Sequence, residues 1–469
     1  MKAWEYIARL TEQAEPVVLD ESQQTWTDNT EAELQSDAFL RLMWESHVPG
    51  SGAPESIVIA AIQSWEQLGY DVNVAEQYIA HGLEALKAND MDTLHCITAR
   101  IYEALFSSPK DAASQYWKYR VYDTFEQYAK SVKFPEPRLL QLNSSEFADR
   151  IAAGWRGRLI GGAFGTALEG YTTAQLYKKF GELTGYVRQP NTYNDDITYE
   201  IAFLRACQAH SGIVTSDLIA DQWLKLVPSG WSAEQIALEN LGRGIYPPQS
   251  GTFRNAFQEW IGAQMRGAIC GQVAPGNAKL AAYLAFQDAQ ISHHGNGVLG
   301  EVFNAVLTSL AYVLGDVVSI LDGAISCIPE DSEYYQVLDF ARKQCERHAD
   351  WRQAWDVCER KYHQYNWIHS YPNAAAEVVA LMYGKGDFDM TMRILGACGQ
   401  DVDCNAAQIG VVLGTFGGTD SIGDQWWEPF TDEIVTYLRG KGKKLSLSML
   451  LQDTVDVAKK LAVANILSL

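Results

Sequence analysis

Two short segments concentrate the side chains able to do chemistry. One is Asn194-Asp195-Asp196-Ile197-Thr198, which opens an amphipathic run from Ile197 to His210. The other is Gly399-Gln400-Asp401-Val402-Asp403-Cys404-Asn405, followed by the apolar run Ala406 to Leu413. Each sets two carboxylates where a helix should begin. A carboxylate there can accept the unsatisfied N–H groups of the first turn, and one Asp is enough for that task. Asp387-Phe388-Asp389 also precedes a helical pattern, and there capping is the reading. For the other two segments a cation site competes with capping. Four carboxylates gathered in one crevice repel one another unless they are protonated or metallated. Oxygen donors suit hard cations such as Mg²⁺, Mn²⁺ or Ca²⁺ rather than zinc. A pair such as Asp401 and Asp403 in a loop can address one ion or bridge two. Two ions about 3.5–4 Å apart can clamp and polarise a substrate and activate water as a nucleophile.

The elements that must position these acids read as helices. Apolar residues recur at helical spacing in Ile57, Ala60, Ala61, Trp65 and Leu68, in Ile197, Ile201 and Leu204, in Val302, Ala305, Val306 and Leu310, and in Val378, Val379 and Met382. Strand-like alternation is rare. The chain of 469 residues is 47% hydrophobic and carries 14 Trp and 23 Tyr, enough for a large core. The expected fold class is therefore all-α, a compact many-helix domain with glycine-rich connections. Phe134-Pro135-Glu136-Pro137 looks like a linker. It divides a helical N-terminal domain over 1–140 from a second domain over 145–469, where glycine becomes frequent. The N-terminal part holds no catalytic constellation and could cover a cleft, mediate oligomerisation or recognise a protein partner.

Composition narrows the function classes. A formal net charge of −21 leaves no basic face for a nucleic-acid backbone. Arg439, Lys441, Lys443 and Lys444 form a short basic cluster that reads as a solvated loop. The eight cysteines form no CxxC pair, which argues against structural zinc. No stretch approaches the roughly 18 apolar residues of a membrane span, and the first 20 residues lack a signal-peptide pattern. The expected setting is reducing cytoplasm.

At the two acidic segments the sequence resembles the ADP-ribosylglycohydrolase family, with its T-D-D and D-x-D-T motifs at helix starts. Three more segments support the resemblance in family order. Gly161-Gly162-Ala163 with Glu169 is similar to the opening G-D-A-x-G-x-x-x-E. Ile261-Gly262-Ala263-Gln264-Met265-Arg266 is similar to N-G-A-x-M-R, and Ile291-Ser292-His293 to a Thr/Ser-His helix start. The likeness spans about 145 to 425. Three positions depart from it: Gly162 stands where the family has Asp, Asn194 replaces the Thr of T-D-D, and Cys404 replaces the last Thr. A branch with D/N-D-D-I and D-x-D-C-N patterns looks like the closer relative.

The resemblance implies a hydrolase that uses Mg²⁺ or Mn²⁺, as two ions, to release ADP-ribose from a protein side chain or other acceptor. It implies Asn194, Asp195, Asp196, Asp401 and Asp403 as ligands. Cys404 is a further candidate, although a thiol is a poor partner for Mg²⁺ and packing against Ala407 is the alternative. The catalytic set is Glu169, Asp195 and Asp403. Glu169 would orient the attacking water or act as general acid or base. Gly262, Ala263 and Gln264 could bring backbone N–H groups to a pyrophosphate or simply pack helices together. His293 and Asn296 could contact substrate, or His293 could be a hydrogen-bonded core imidazole. Arg266 reads as a structural partner of buried acids. One of Tyr246, Phe253 and Trp260 could stack on adenine, although aromatics are more often core. Two other functions stay open: hydrolysis of a small free ribosyl compound, and a non-catalytic ADP-ribose binder.

Overall fold

The computed structural model describes residues 1–24 and 29–468. Its architecture is all-α. Among the described residues the strands are three two-stranded antiparallel pairings: Ser46–His47 with Pro54–Glu55, Tyr171–Thr172 with Gly399–Gln400, and Glu433–Val435 with Lys444–Ser446. No described helix is long and apolar enough to cross a membrane.

The centre is a pair of helices, Ser145–Gly165 and Val402–Gly417. Small residues four apart line both facing surfaces. A Cβ on Gly157 would overlap the backbone of Gly410, one on Gly161 the backbone of Ala406, and one on Gly165 the backbone of Asp403. Gly410 and Gly414 are confined in the same way by Gly157 and Ala153. Spacing of four places residues on one helical face. The two backbones therefore meet along a seam that no larger residue would fit. Ridges of bulky side chains ordinarily keep helix axes 8–10 Å apart.

A third helix, Asp196–Ala209, is tied to this pair through polar groups. Arg158 on the first helix pairs with Glu200 on the third, Nε to Oε2 at 2.5 Å, and both are fully buried. Gln408 on the Val402 helix donates to Glu200 Oε1 at 3.4 Å and accepts from the Ala268 N–H at 2.7 Å. Two charges this deep are costly unless paired, so the pair fixes how the three helices meet. The acids of interest lie at the ends of these helices.

The N-terminal part is packed onto the rest rather than strung from it. Trp260 donates to Ser64 Oγ at 2.7 Å, Tyr116 to Glu259 at 3.0 Å, and Tyr128 to the Cys327 carbonyl at 2.8 Å. One continuous apolar core includes Trp44, Ile57 and Leu94 together with Trp155, Leu204 and Val306. The Pro-rich segment is docked as well, since Arg138 N–H donates to the Gly276 carbonyl at 3.0 Å. The Arg439–Lys444 cluster forms a 3₁₀ turn leading into the last small strand.

Adding a methyl inside a helix is worth about 1 kcal/mol in propensity, but a clash with backbone costs about 1–3 kcal/mol. Gly157→Ala should therefore lower the melting temperature. Gly185→Ala, which meets nothing within 4 Å, should not. Thermal denaturation followed by circular dichroism compares the two, and equal melting temperatures would remove the seam from the account.

Candidate active site

The Asp196–Ala209 and Val402–Gly417 helices begin next to each other, and their acids meet. Asp195 and Asp401 occupy the N-cap positions, yet neither side chain makes a capping hydrogen bond. Asp387 does cap, accepting from the Met390 N–H at 2.7 Å. Capping thus accounts for the Asp387 pair and not for the other two. The Val402 helix starts earlier than the apolar run suggested, so Asp403 lies within its first turn.

The turn carrying Asp401 is held from both sides. Asn373 Oδ1 accepts from the Asp401 N–H at 3.0 Å and from Asn405 Nδ2 at 2.7 Å. Gly399 and Gln400 have φ of 71° and 67°, and pair with Thr172 and Tyr171. At Gly399 a Cβ would overlap the Tyr171 carbonyl, so glycine is required there on two grounds. This ladder draws in the loop that follows the Ser145 helix. The Glu169 N–H turns back to the Gly165 carbonyl at 3.1 Å, and the Gly170 N–H donates to the Gln400 carbonyl at 2.9 Å. Glu169 is delivered to the same place as Asp401 and Asp403.

Five carboxyl groups result: Glu169, Asp195, Asp196, Asp401 and Asp403. All but Asp195 are buried, at 7%, 0%, 5% and 4% exposed for Glu169, Asp196, Asp401 and Asp403. Burial raises the pKa of each, and mutual repulsion, above all from Asp403, adds to it for Glu169, Asp195, Asp196 and Asp401. Asp195 is pushed up to about 6 by burial and the Asp403 charge. Glu169 shares a hydrogen bond with Asp403, and burial and the neighbouring aspartates push it well above the usual carboxylate range.

The donor set fits a hard cation. Asp196 Oδ1, Asp403 Oδ1 and Asn194 Oδ1 are buried and take no hydrogen bond. Ligand atoms of Asp401, Asp403 and Cys404 all lie within 4.8 Å of one another. A divalent ion would relieve both the orphaned oxygens and the repulsion. Cys404 sits differently from the acids. Its thiol hydrogen-bonds towards Asp196 and Asp401, lies 3.7 Å from Met265 Sδ, and is held neutral by burial and the surrounding acids. Gly162 and Asn194 explain each other. A Cβ at 162 would overlap Asn194 Nδ2, which itself donates to Asp196 Oδ2 at 3.1 Å. The Asn194 amide thus fills space that a side chain at 162 would need.

The other sequence-predicted residues lie in an adjoining polar layer. Gly262 faces Glu234, whose carboxylate occupies the space above its Cα. Ala263 is fully buried, and Gln264 Oε1 accepts from Tyr334 at 2.9 Å. Asn296 gives its amide to Glu259 at 2.9 Å and accepts from the Tyr334 N–H at 3.1 Å. Gln264 Oε1 and the Asn296 side chain are committed to internal partners, and the acidic cluster is not among them. His293 is buried, with Nδ1 2.8 Å from Ser292 Oγ, while Nε2 has no partner. Burial and the nearby Arg266 keep its imidazole neutral. Arg266 bonds to Glu234 at 2.9 Å, to Asp288, and to Ser292 at 3.0 Å, and lies 3.5 Å from Glu301. Trp260 is core, Tyr246 hydrogen-bonds Asp221, and Phe253 is exposed.

Glu234 is a site residue that the sequence did not flag. It lies in the first turn of the Ser232–Gly242 helix, where an acid is ordinary. In the fold it stands between Arg266 and the Asp195 charge, and burial pushes it up to about 7 against the pull of Arg266. Tyr437, from the C-terminal strand pair, also faces Asp195 and Glu234. Neither position belongs to a motif.

A family model described as ADP-ribosylglycohydrolase matches residues 143–457. The chain belongs to the ADP-ribosylglycohydrolase family. Among solved structures, an ADP-ribosylglycohydrolase-related protein complex aligns at 19% identity with a TM-score of 0.50, covering 68% of this chain and 99% of that one. At that identity the likeness speaks for the fold. Among curated proteins nothing matches. The family match begins after the Pro-rich segment and takes in all five acids. As a member of this family the chain is a hydrolase of the glycohydrolase type, acting on ADP-ribose-type substrates.

The raised acids predict how the metal-free protein responds to pH. Asp195 is ionised above its ordinary value of 3.8 in the unfolded chain, but only above about 6 in the fold. Its carboxyl opposes folding increasingly between those values and fully above the upper one. In chelator, Asp195→Asn should raise the melting temperature by about 2–4 °C at pH 8 and leave it unchanged near pH 3.5. A gain of equal size at both values would show that this charge is not strained in the fold.

Proposed function

We propose that this chain hydrolyses the bond between the ribose C1 of an ADP-ribosyl group and its acceptor, a protein side chain or a small molecule, with Mg²⁺ or Mn²⁺ as cofactor. The observation that carries the reading is the convergence of five carboxyl groups from three distant segments, with the N-cap acids Asp195 and Asp401 not spent on capping.

Asp195, Asp196, Asp401 and Asp403 would hold one or two ions, with Asn194 Oδ1 a further oxygen donor. A bound cation supplies charge neutralisation and Lewis acidity at the ribose hydroxyls. Glu169 lies beside Asp403, and burial and the neighbouring acids favour its protonated form. It is placed to give that proton to the acceptor atom as the C1–acceptor bond breaks through an oxocarbenium-like state. Water adds its oxygen to C1, and its proton returns to the Glu169–Asp403 pair. ADP-ribose and the free acceptor leave. Cys404 serves as a neutral hydrogen-bond donor to the ligand acids. His293 offers its unpartnered Nε2 to a substrate hydroxyl or phosphate oxygen. Gly262, Ala263, Gln264 and Asn296 form the wall behind it. Retention of all four aspartates argues against a non-catalytic binder.

Purified protein with Mn²⁺ should release ADP-ribose from a modified acceptor, and chelation should stop it. Asp403→Ala should lower kcat/KM by roughly 10³-fold, and Glu169→Gln by roughly 10²–10⁴-fold, both with intact folds by circular dichroism. Wild-type turnover by Asp195→Ala and Asp403→Ala in chelator would sink the metal mechanism.

A further inference from the structure

The loop between the first two small strands, residues 48–53, reaches from the N-terminal part onto Glu169. Gly50 lies closest. A Cβ there would overlap the Thr166 carbonyl and Cγ2 and stand 2.9 Å from Glu169 Oε1. Gly50 is not among the glycines with positive φ. Its lack of a side chain therefore answers to proximity and not to backbone conformation. Gly52, two residues on, is the reverse, with φ +75° and nothing within 4 Å.

The loop is anchored on the catalytic side at several points. Arg188 Nη1 donates to the Gly50 carbonyl at 2.7 Å, and the Tyr171 hydroxyl to the Ser51 carbonyl at 3.2 Å. Gly170 lacks a Cβ where Ala53 packs against it. Beyond the loop, Glu55 Oε2 accepts from Trp231 Nε1 at 3.1 Å, just ahead of the helix that bears Glu234. The hairpin thus bridges the loop of Glu169 and the segment leading to Glu234. Internally it is closed by Val48 N–H to the Ala53 carbonyl at 2.9 Å and Gly52 N–H to the Val48 carbonyl at 2.8 Å.

We propose that the 48–53 loop is a wall of the active centre, and that Gly50 is a positioning residue that seats the Glu169 carboxyl against Asp403. The idea rests on the hydrolase reading for Glu169. It assigns the N-terminal part, which lies outside the family match, a share in building the site.

The test is a double-mutant cycle in the full chain. Gly50→Ala should lower kcat by between about 10- and 100-fold, the scale of a misplaced catalytic group, with KM changed less than threefold. In a Glu169→Gln background the same change should have no further effect. Arg188→Met, which removes only a surface hydrogen bond to the loop, should reproduce a smaller part of the loss if Gly50→Ala folds poorly. Wild-type kcat in folded Gly50→Ala, or an undiminished loss in the Glu169→Gln background, overturns the proposal. If the wild type itself turns nothing over, the hydrolase reading fails instead. The cycle is then read as melting temperature, where Glu169→Ala should relieve part of the Gly50→Ala loss. Strict additivity there removes the contact.

Discussion

The close meeting of the Ser145 and Val402 helices governs the rest of the molecule. Backbone against backbone along Gly157, Gly161 and Gly165 leaves no freedom to slide. It puts the first turn of one helix, with Asp403, against the last turn of the other, just ahead of Glu169. A catalytic geometry is usually precise when it stands on rigid elements. Here the rigidity comes from what the side chains lack. The Arg158–Glu200–Gln408 group then adds the Asp196 helix to the pair, and with it Asp195 and Asp196.

That rigidity gathers charges which oppose the fold. Five clustered acids, four of them buried, with few compensating bases are an electrostatic debt, set against a very large apolar core. Ordinary stability would favour replacing one of them. Groups held against their own preference cluster where function requires them. Arg266 shows the contrasting arrangement, a buried cation surrounded by Glu234, Asp288 and Glu301. Among the described residues the first cluster has no such cation at its centre, whereas the second is gathered around the Arg266 guanidinium.

Much of this was legible in the chain. Helical periodicity gave the fold class, and the doubled acids at two helix starts pointed to the segments whose carboxyl groups meet, because capping needs only one. Arg266 was read as a partner of buried acids and is one. What escaped were residues whose local context is ordinary. Glu234 looks like any first-turn acid, Asn373 like any helical polar residue, and Gly50 like a turn glycine. Their roles depend on neighbours far outside any local window, from Asp401 beside Asn373 to Glu169 beside Gly50, which no local pattern encodes. Gln264 and Asn296 lie near glycines and suggested ligand contact, Gln264 through its backbone N–H. Both are tied to Tyr334, which is remote in sequence. Phe134-Pro135-Glu136-Pro137 reads as a linker, and the chain just beyond it is held by Arg138 on the Gly276 carbonyl.

The two-rung ladder of Tyr171–Thr172 with Gly399–Gln400 splices the loop of Glu169 to the turn of Asp401. A shift of either strand by one residue would invert which side chains face inward. Insertions and deletions in these stretches would therefore scramble the centre at once.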